Sequence, residues 1–285
     1  MLLQILEDTY HKWWADEIKY TYTIYHIISH LLDKNFISSF NTNTEKMYSR
    51  WRELYLWNLL NQQYSLSFTQ SDFPKWAPDF CIKKPETWNN IWIECVFATV
   101  GIGNNKVPEF WSTTNINDWT IPRILRITNS LKEKYEKFKW YKDKWIIEEN
   151  DECYIAINSD FDDRLDRSII TWACYWEWLT IFKKWSDSHL YWPFYQERNT
   201  VNKKNNSNVI TNTLLDKNFS IINGVIYNPN NFMHLISNDL KPGDNKGYWF
   251  YFLENPYTTN TLNLVNEIHL TYDLISKEIQ EIKSM

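Results

Sequence analysis

Ile91-Trp92-Ile93-Glu94-Cys95-Val96-Phe97-Ala98 is the segment that most limits what this chain can become. It is rich in β-branched and aromatic residues, is apolar on both alternating faces apart from Glu94, and ends before Gly101. A run of that kind is a strand covered on both sides, because a half-exposed strand alternates apolar with polar residues. Strands covered on both faces belong to layered folds in which helices lie against a central sheet. Glu94 is therefore taken at least partly out of water. A buried carboxylate needs a cation or a metal beside it, or it takes up a proton and loses its charge.

The neighbouring segments agree with an α/β (or α+β) arrangement. Tyr10 to Leu32 has helical periodicity, and Asn41, Thr42 and Thr44 offer caps to a second helix over about Glu45 to Gln62. In that second helix Glu53 shares a face with Leu56, Trp57 and Leu60. Leu66 to Phe68 reads as a short strand, and Pro78 leads through Asp79 into another that starts near Phe80. Ile121 to Lys144 reads as a helix, with Pro122 in its first turn and one stripe made of Ile124, Ile127, Leu131, Tyr135 and Phe138. Cys153 to Asn158 follows as a second central strand. Further on, Ser168 to Phe182 reads as a core helix, Asn199 to Thr213 as a surface excursion, and Asn218 to Tyr227 and Tyr248 to Leu253 as strands. Val265, Ile268, Tyr272, Ile275, Ile279 and Ile282 trace a terminal helix. With no repeat and no linker, residues 1–285 read as a single elaborated domain.

Composition excludes several classes. Fifty aromatic residues and an apolar fraction of 44% carry too much surface for a disordered chain, and five glycines leave no material for a Gly-rich phosphate loop. No stretch reaches the roughly 20 apolar residues of a membrane span. Cys81, Cys95, Cys153 and Cys174 form no C-x-x-C pair, which suits reduced thiols, and the amino-terminal residues lack the pattern of an export signal; a cytoplasmic location is expected. His26 and His30 share a helix face but have no third ligand in view. The formal net charge is −5, so any site for a polyanion must be local. It is concentrated in the helix over Ile121 to Lys144, where eight lysines and arginines face three acids.

Pro78-Asp79-Phe80, then fourteen residues, then Glu94-Cys95-Val96 in an apolar strand resembles the motif of the PD-(D/E)XK, or restriction endonuclease-like, nuclease superfamily. The likeness spans about residues 45 to 160 and includes Glu53 on the preceding helix, the helix after the motif strand and the further strand after that. Trp92-Ile93-Glu94, Arg126-x7-Lys134, Ile155-Ala156-Ile157-Asn158 and Asn255-Pro256 are similar to a bacterial branch of the same superfamily. The resemblance implies a central mixed sheet flanked by helices, here with an aromatic-rich C-terminal elaboration belonging to the same domain. It also implies hydrolysis of phosphodiester bonds with Mg²⁺ or Mn²⁺. Asp79, Glu94 and the Cys95 backbone carbonyl would be ligands, with Glu53 binding through water or assisting.

The chemistry has its own demands. Hydrolysis of a phosphodiester at neutral pH requires a hard cation with oxygen ligands, which polarises phosphoryl oxygens and acidifies a bound water. A lysine two residues after the glutamate, on the same strand face, completes the superfamily pattern; this chain has Val96 there. Lys134 is the expected substitute, because Arg126, Ser130 and Lys134 are four apart on one helix face, whereas Lys132 is turned about 160° from Lys134. Lys134 is thus expected to stabilise developing charge, and Arg126 and Ser130 to contact substrate phosphate. DNA is the expected partner, with RNA left open. The alternative is a nuclease-fold module without activity that binds nucleic acid or a protein.

Overall fold

In the computed structural model the described residues are 77–83, 89–101, 106–108, 116–159, 166–175, 177–184, 191–198, 200–202, 208–228, 250–259, 262, 267–273 and 278–283, with scattered positions between 23 and 61. The chain is a mixed α/β structure. A sheet in the order β1-β2-β3-β8-β9-β10-β11 contains β1 (Phe80–Lys83), β2 (Asn90–Ala98), β3 (Glu152–Ser159), β8 (Gly224–Asn228), β9 (Phe250–Glu254), β10 (Glu267–Asp273) and β11 (Glu278–Lys283). Two antiparallel pairs lie outside it: β4 (Glu177–Lys184) with β5 (Tyr191–Arg198), and β6 (Thr200–Asn202) with β7 (Asn208–Ile210).

The direction of each pairing follows from its connection. β1 and β2 are antiparallel and close in sequence, while β2 and β3 are parallel and need a long crossover. Helix α1 (Ile116–Asp143) supplies it and packs across both strands. The stripe expected from the sequence is the face that packs: Ile124, Ile127, Leu131 and Phe138 are fully enclosed, and Tyr135 is buried. They meet Trp92, Ile155, Ile157, Val225, Tyr227 and Leu253 in one core, closed at the side by α2 (Asp166–Cys174) against α1. On the opposite face of β1, Phe80 packs edge-on to Trp57, with ring centroids 4.4 Å apart.

Asp151 ties the start of β2 to the entry of β3. Its carboxylate accepts from the backbone N–H of Asn90 at 2.7 Å, the indole Nε1 of Trp92 at 2.8 Å and the backbone N–H of Glu148 at 3.0 Å. At the far side of β8, fully buried Asn255 donates to the carbonyls of Phe219 and Ile222 and accepts from the Tyr257 N–H, so β9 is fixed to the approach of β8.

Several expectations are corrected. α1 begins at Ile116, so Pro122 lies inside the helix and not in its first turn. The helix expected over Ser168 to Phe182 stops at Cys174, and β4 begins at Glu177. Asn199 to Thr213, expected as a surface excursion, contains the β6–β7 pair, with Val201 buried and Asn208 and Ile210 exposed. The terminal helix is instead the antiparallel pair β10 and β11. Ile268 and Tyr272 fit a helical stripe, but with Leu270 between them they also alternate at period 2, and pairing with β9 favours the strand. The expected strand Leu66 to Phe68, most of the helix over Tyr10 to Leu32, and His30 lie outside the described residues. Among the described residues, no helix is long and apolar enough to cross a membrane.

Asp151→Ala removes four hydrogen bonds to one anionic acceptor, among them that of the buried Trp92 indole, so a loss of about 2–4 kcal/mol is expected. Denaturant unfolding checks it, and Asp151→Asn should lose less.

Candidate active site

Strand register brings the two motif acids together. β1 and β2 pair with Phe80 opposite Ile93, so the position before Phe80 faces the position after Ile93. That places Asp79 opposite Glu94, on one face of the sheet, because directly opposed residues of an antiparallel pair point the same way. The Asp79 carboxylate is fixed by the backbone N–H of Cys95, which donates to Oδ2 at 2.7 Å. In a strand the N–H and C=O of one residue point to the same side, so the Cys95 carbonyl belongs to the β1 side of β2 as its N–H does.

Glu94 is completely buried, on the face covered by α1. Lys134 Nζ donates to Oε2 at 2.6 Å, and Lys137 Nζ reaches both oxygens, at 2.7 Å to Oε1 and 2.9 Å to Oε2. The Tyr141 hydroxyl donates to Oε1 at 2.5 Å. The Lys134 side chain is 14% exposed and that of Lys137 42%, whereas Tyr141 is enclosed. The Lys137 ammonium also stands 5.5 Å from the centre of the Tyr141 ring. This is how the buried charge demanded by the sequence is met: two ammonium groups and a phenol, all from α1.

The shifts in acidity follow from this crowding. Burial, and then the Glu94 charge, push the Asp79 carboxyl up from 3.8 to about 6, against the opposing pull of Lys134, the Cys95 N–H and Lys137. Burial works against the Lys134 ammonium, but the Glu94 and Asp79 charges outweigh it and hold its pKa above the usual lysine value. Burial and the adjacent Glu94 charge raise the Tyr141 phenol, so it stays a donor at neutral pH.

The residues expected at the site each have a place. Val96 packs on the core beneath α1, leaving β2 without an amine. Lys134 reaches Glu94, and Lys132 points elsewhere, to the Ile210 carbonyl at 3.0 Å. Glu53 is buried and ion-paired with Arg50 at 2.7 Å, and its charge acts on the Cys95 thiol, which alternation turns to the face of β2 opposite Glu94. Glu53 is thus a paired acid beside the strand. Ser130 lies partly buried on α1 between Lys134 and Arg126. Arg126 lies along the backbone of Gly101, just past β2; a Cβ built on Gly101 would come within 1.8 Å of Arg126 Nη2, and the glycine's φ of 75° disfavours a side chain independently. All four cysteines are free, and burial pushes the Cys81 and Cys153 thiols up to about 12, so neither is a ready nucleophile.

Lys137 and Tyr141 were not anticipated from the sequence. At 100° per residue, Arg126, Ser130, Lys134, Lys137 and Tyr141 fall within an arc of about 80° along the edge of the apolar stripe. That arc was the available signal. A ladder counted in fours from Arg126 steps over Lys137, and Tyr141 looks like one more core aromatic.

The donor set suits a hard divalent cation. Mg²⁺ needs only one or two carboxylates, with waters and substrate oxygens completing its shell, and Asp79, Glu94 and the Cys95 carbonyl are all oxygen donors. Asp79 in particular carries a charge that its neighbours do not fully offset. Among the described residues, no group of three or more His, Cys, Asp or Glu side chains gathers to hold a metal. No family model matches the chain, and neither a curated protein nor a solved structure matches it.

The raised Asp79 pKa has a consequence for stability. Between pH 3.8 and about 6 the folded chain keeps a proton that the unfolded chain has lost. Stability therefore falls as pH rises through that window, and ionised Asp79 costs up to about 3 kcal/mol above it. Asp79→Asn should raise the melting temperature at pH 7.5, with the gain fading toward pH 4. Added Mn²⁺ should raise the melting temperature of the parent chain but not that of the variant.

Proposed function

We propose that this protein is a metal-dependent nuclease hydrolysing phosphodiester bonds, with DNA as its substrate. The observation that carries the reading is one cluster: two carboxylates, Asp79 just before β1 and the fully buried Glu94 in the neighbouring β2, beside a lysine-bearing helix. The resemblance of Pro78-Asp79 and Glu94-Cys95-Val96 to the PD-(D/E)XK motif, set within a mixed sheet, supports the same conclusion.

Asp79, Glu94 and the Cys95 carbonyl would hold Mg²⁺ or Mn²⁺; Glu53, committed to Arg50, is left outside that set. When bound there, the cation supplies polarisation of a phosphoryl oxygen and a more acidic water. Lys134, fixed by Glu94, holds a positive charge where negative charge develops on phosphorus-bound oxygens, and it does so without needing to reorganise. Arg126 sits eight residues away, about 12 Å along α1, so it contacts a neighbouring phosphate and not the one being cleaved.

The second reading, a binding module without activity, has one observation in its favour. Every acceptor position of Glu94 is engaged by a protein donor, as in a purely structural ion cluster. Plasmid nicking with Mg²⁺ or Mn²⁺ separates the two. The nuclease reading expects cleavage that is abolished in Asp79→Ala and Glu94→Ala and reduced about 10²- to 10³-fold in Lys134→Met. Nicking that persists without both acids, or nucleic-acid binding with no cleavage under any divalent cation, would sink it.

A further inference from the structure

A carboxylate offers about four lone-pair positions, and at Glu94 all four are filled. Oε1 accepts from Lys137 and Tyr141, and Oε2 from Lys134 and Lys137. Any cation that coordinates Glu94 must therefore displace one of the three donors. The structure distinguishes them clearly. Tyr141 is enclosed in the core under α1 and makes its bond as a buried hydroxyl. Lys134 is almost covered and engages a single oxygen. Lys137 is the most exposed of the three and is shared between both oxygens, so its departure alone opens one position on each. Its flexible stem lets the ammonium move into solvent without shifting the helix.

We propose that Lys137 occupies the metal position on Glu94 and is exchanged for a divalent cation on binding, which frees its ammonium for a substrate phosphate. This inference rests on the nuclease reading of the same cluster. With Lys137 in place, Glu94 has two ammonium groups on its own oxygens, so its buried charge is tolerated without metal. With the cation in place, Lys134 and Tyr141 still hold Glu94, and the displaced ammonium stands at the open edge of α1. The device keeps a buried carboxylate charged in the absence of metal, at the cost of competing with the metal for it.

Amine-selective acylation followed by peptide mass spectrometry, together with Mn²⁺ titration read by electron paramagnetic resonance, tests the exchange on the full chain. Mn²⁺ should raise labelling of Lys137 several-fold while leaving Lys134 unchanged. Lys137→Met should bind Mn²⁺ about ten-fold more tightly than the parent chain, and Lys137→Arg, which retains a cation, should bind close to the parent value. Should Lys137→Met fail to fold, as read by circular dichroism, the labelling of the parent chain and the arginine variant still decide. Mn²⁺ binding that leaves Lys137 labelling unaltered overturns the exchange while sparing the metal site. Absence of Mn²⁺ binding by every variant overturns the exchange and the nuclease reading together.

Discussion

A single ionised side chain in the middle of a covered strand sets the terms for this architecture. Glu94 lies where water is excluded, and an isolated charge there would cost far more than a small domain's total stability. Neutralising it requires donors that approach from the element packed across β2 on that face, which is α1. The helix must accordingly cross β2 at the right height, present its apolar stripe to the sheet and carry lysines at the stripe's edge. Lys134, Lys137 and Tyr141 meet that condition as residues i, i+3 and i+7. The core and the charged cluster are thus one packing solution.

How much of this can be read from residues alone depends on whether the signal is local. The covered strand and its buried acid are legible because eight consecutive residues carry them. Lys134 is legible because helical spacing excludes Lys132, which indeed turns away to the Ile210 carbonyl. The Asp79–Glu94 pairing was expected on neighbouring strands, and the Phe80–Ile93 register supplies the reason. What escapes are features fixed by tertiary contact. Gly101 is one glycine among five until Arg126 is seen against it. The strands β10 and β11 escape because Ile268 and Tyr272, four apart, satisfy both the helical and the strand period, and pairing with β9 decides between them. Tyr141 escapes because a tyrosine beside Phe138 looks like packing, and its hydroxyl is what matters.

Placing the amines on α1, and not on β2 at the position of Val96, changes how the cluster is built. A lysine on the strand would lie next to Glu94 in sequence and share its rigidity. On the helix, the ammonium reaches down from a separate element, so its position depends on how α1 is seated against Trp92, Ile155 and Ile157. Val96 packs against the core and adds to the interface that seats the helix.

That coupling makes stability and chemistry difficult to separate at this site. Two acids held near each other, with Asp79 pushed up to about 6, are a local cost of the fold. Lys134 offsets part of it, so removing Lys134 leaves the buried Glu94 with only Lys137 and Tyr141 against its charge. Lys137 differs because its charge contributes from the exposed edge, where solvent already screens it. The cluster thus divides by depth: the enclosed donors maintain the carboxylate in place, and the outermost one is the group whose contact can be given up. In the cation exchange proposed above, that gradient of burial along one helix face determines which bond yields.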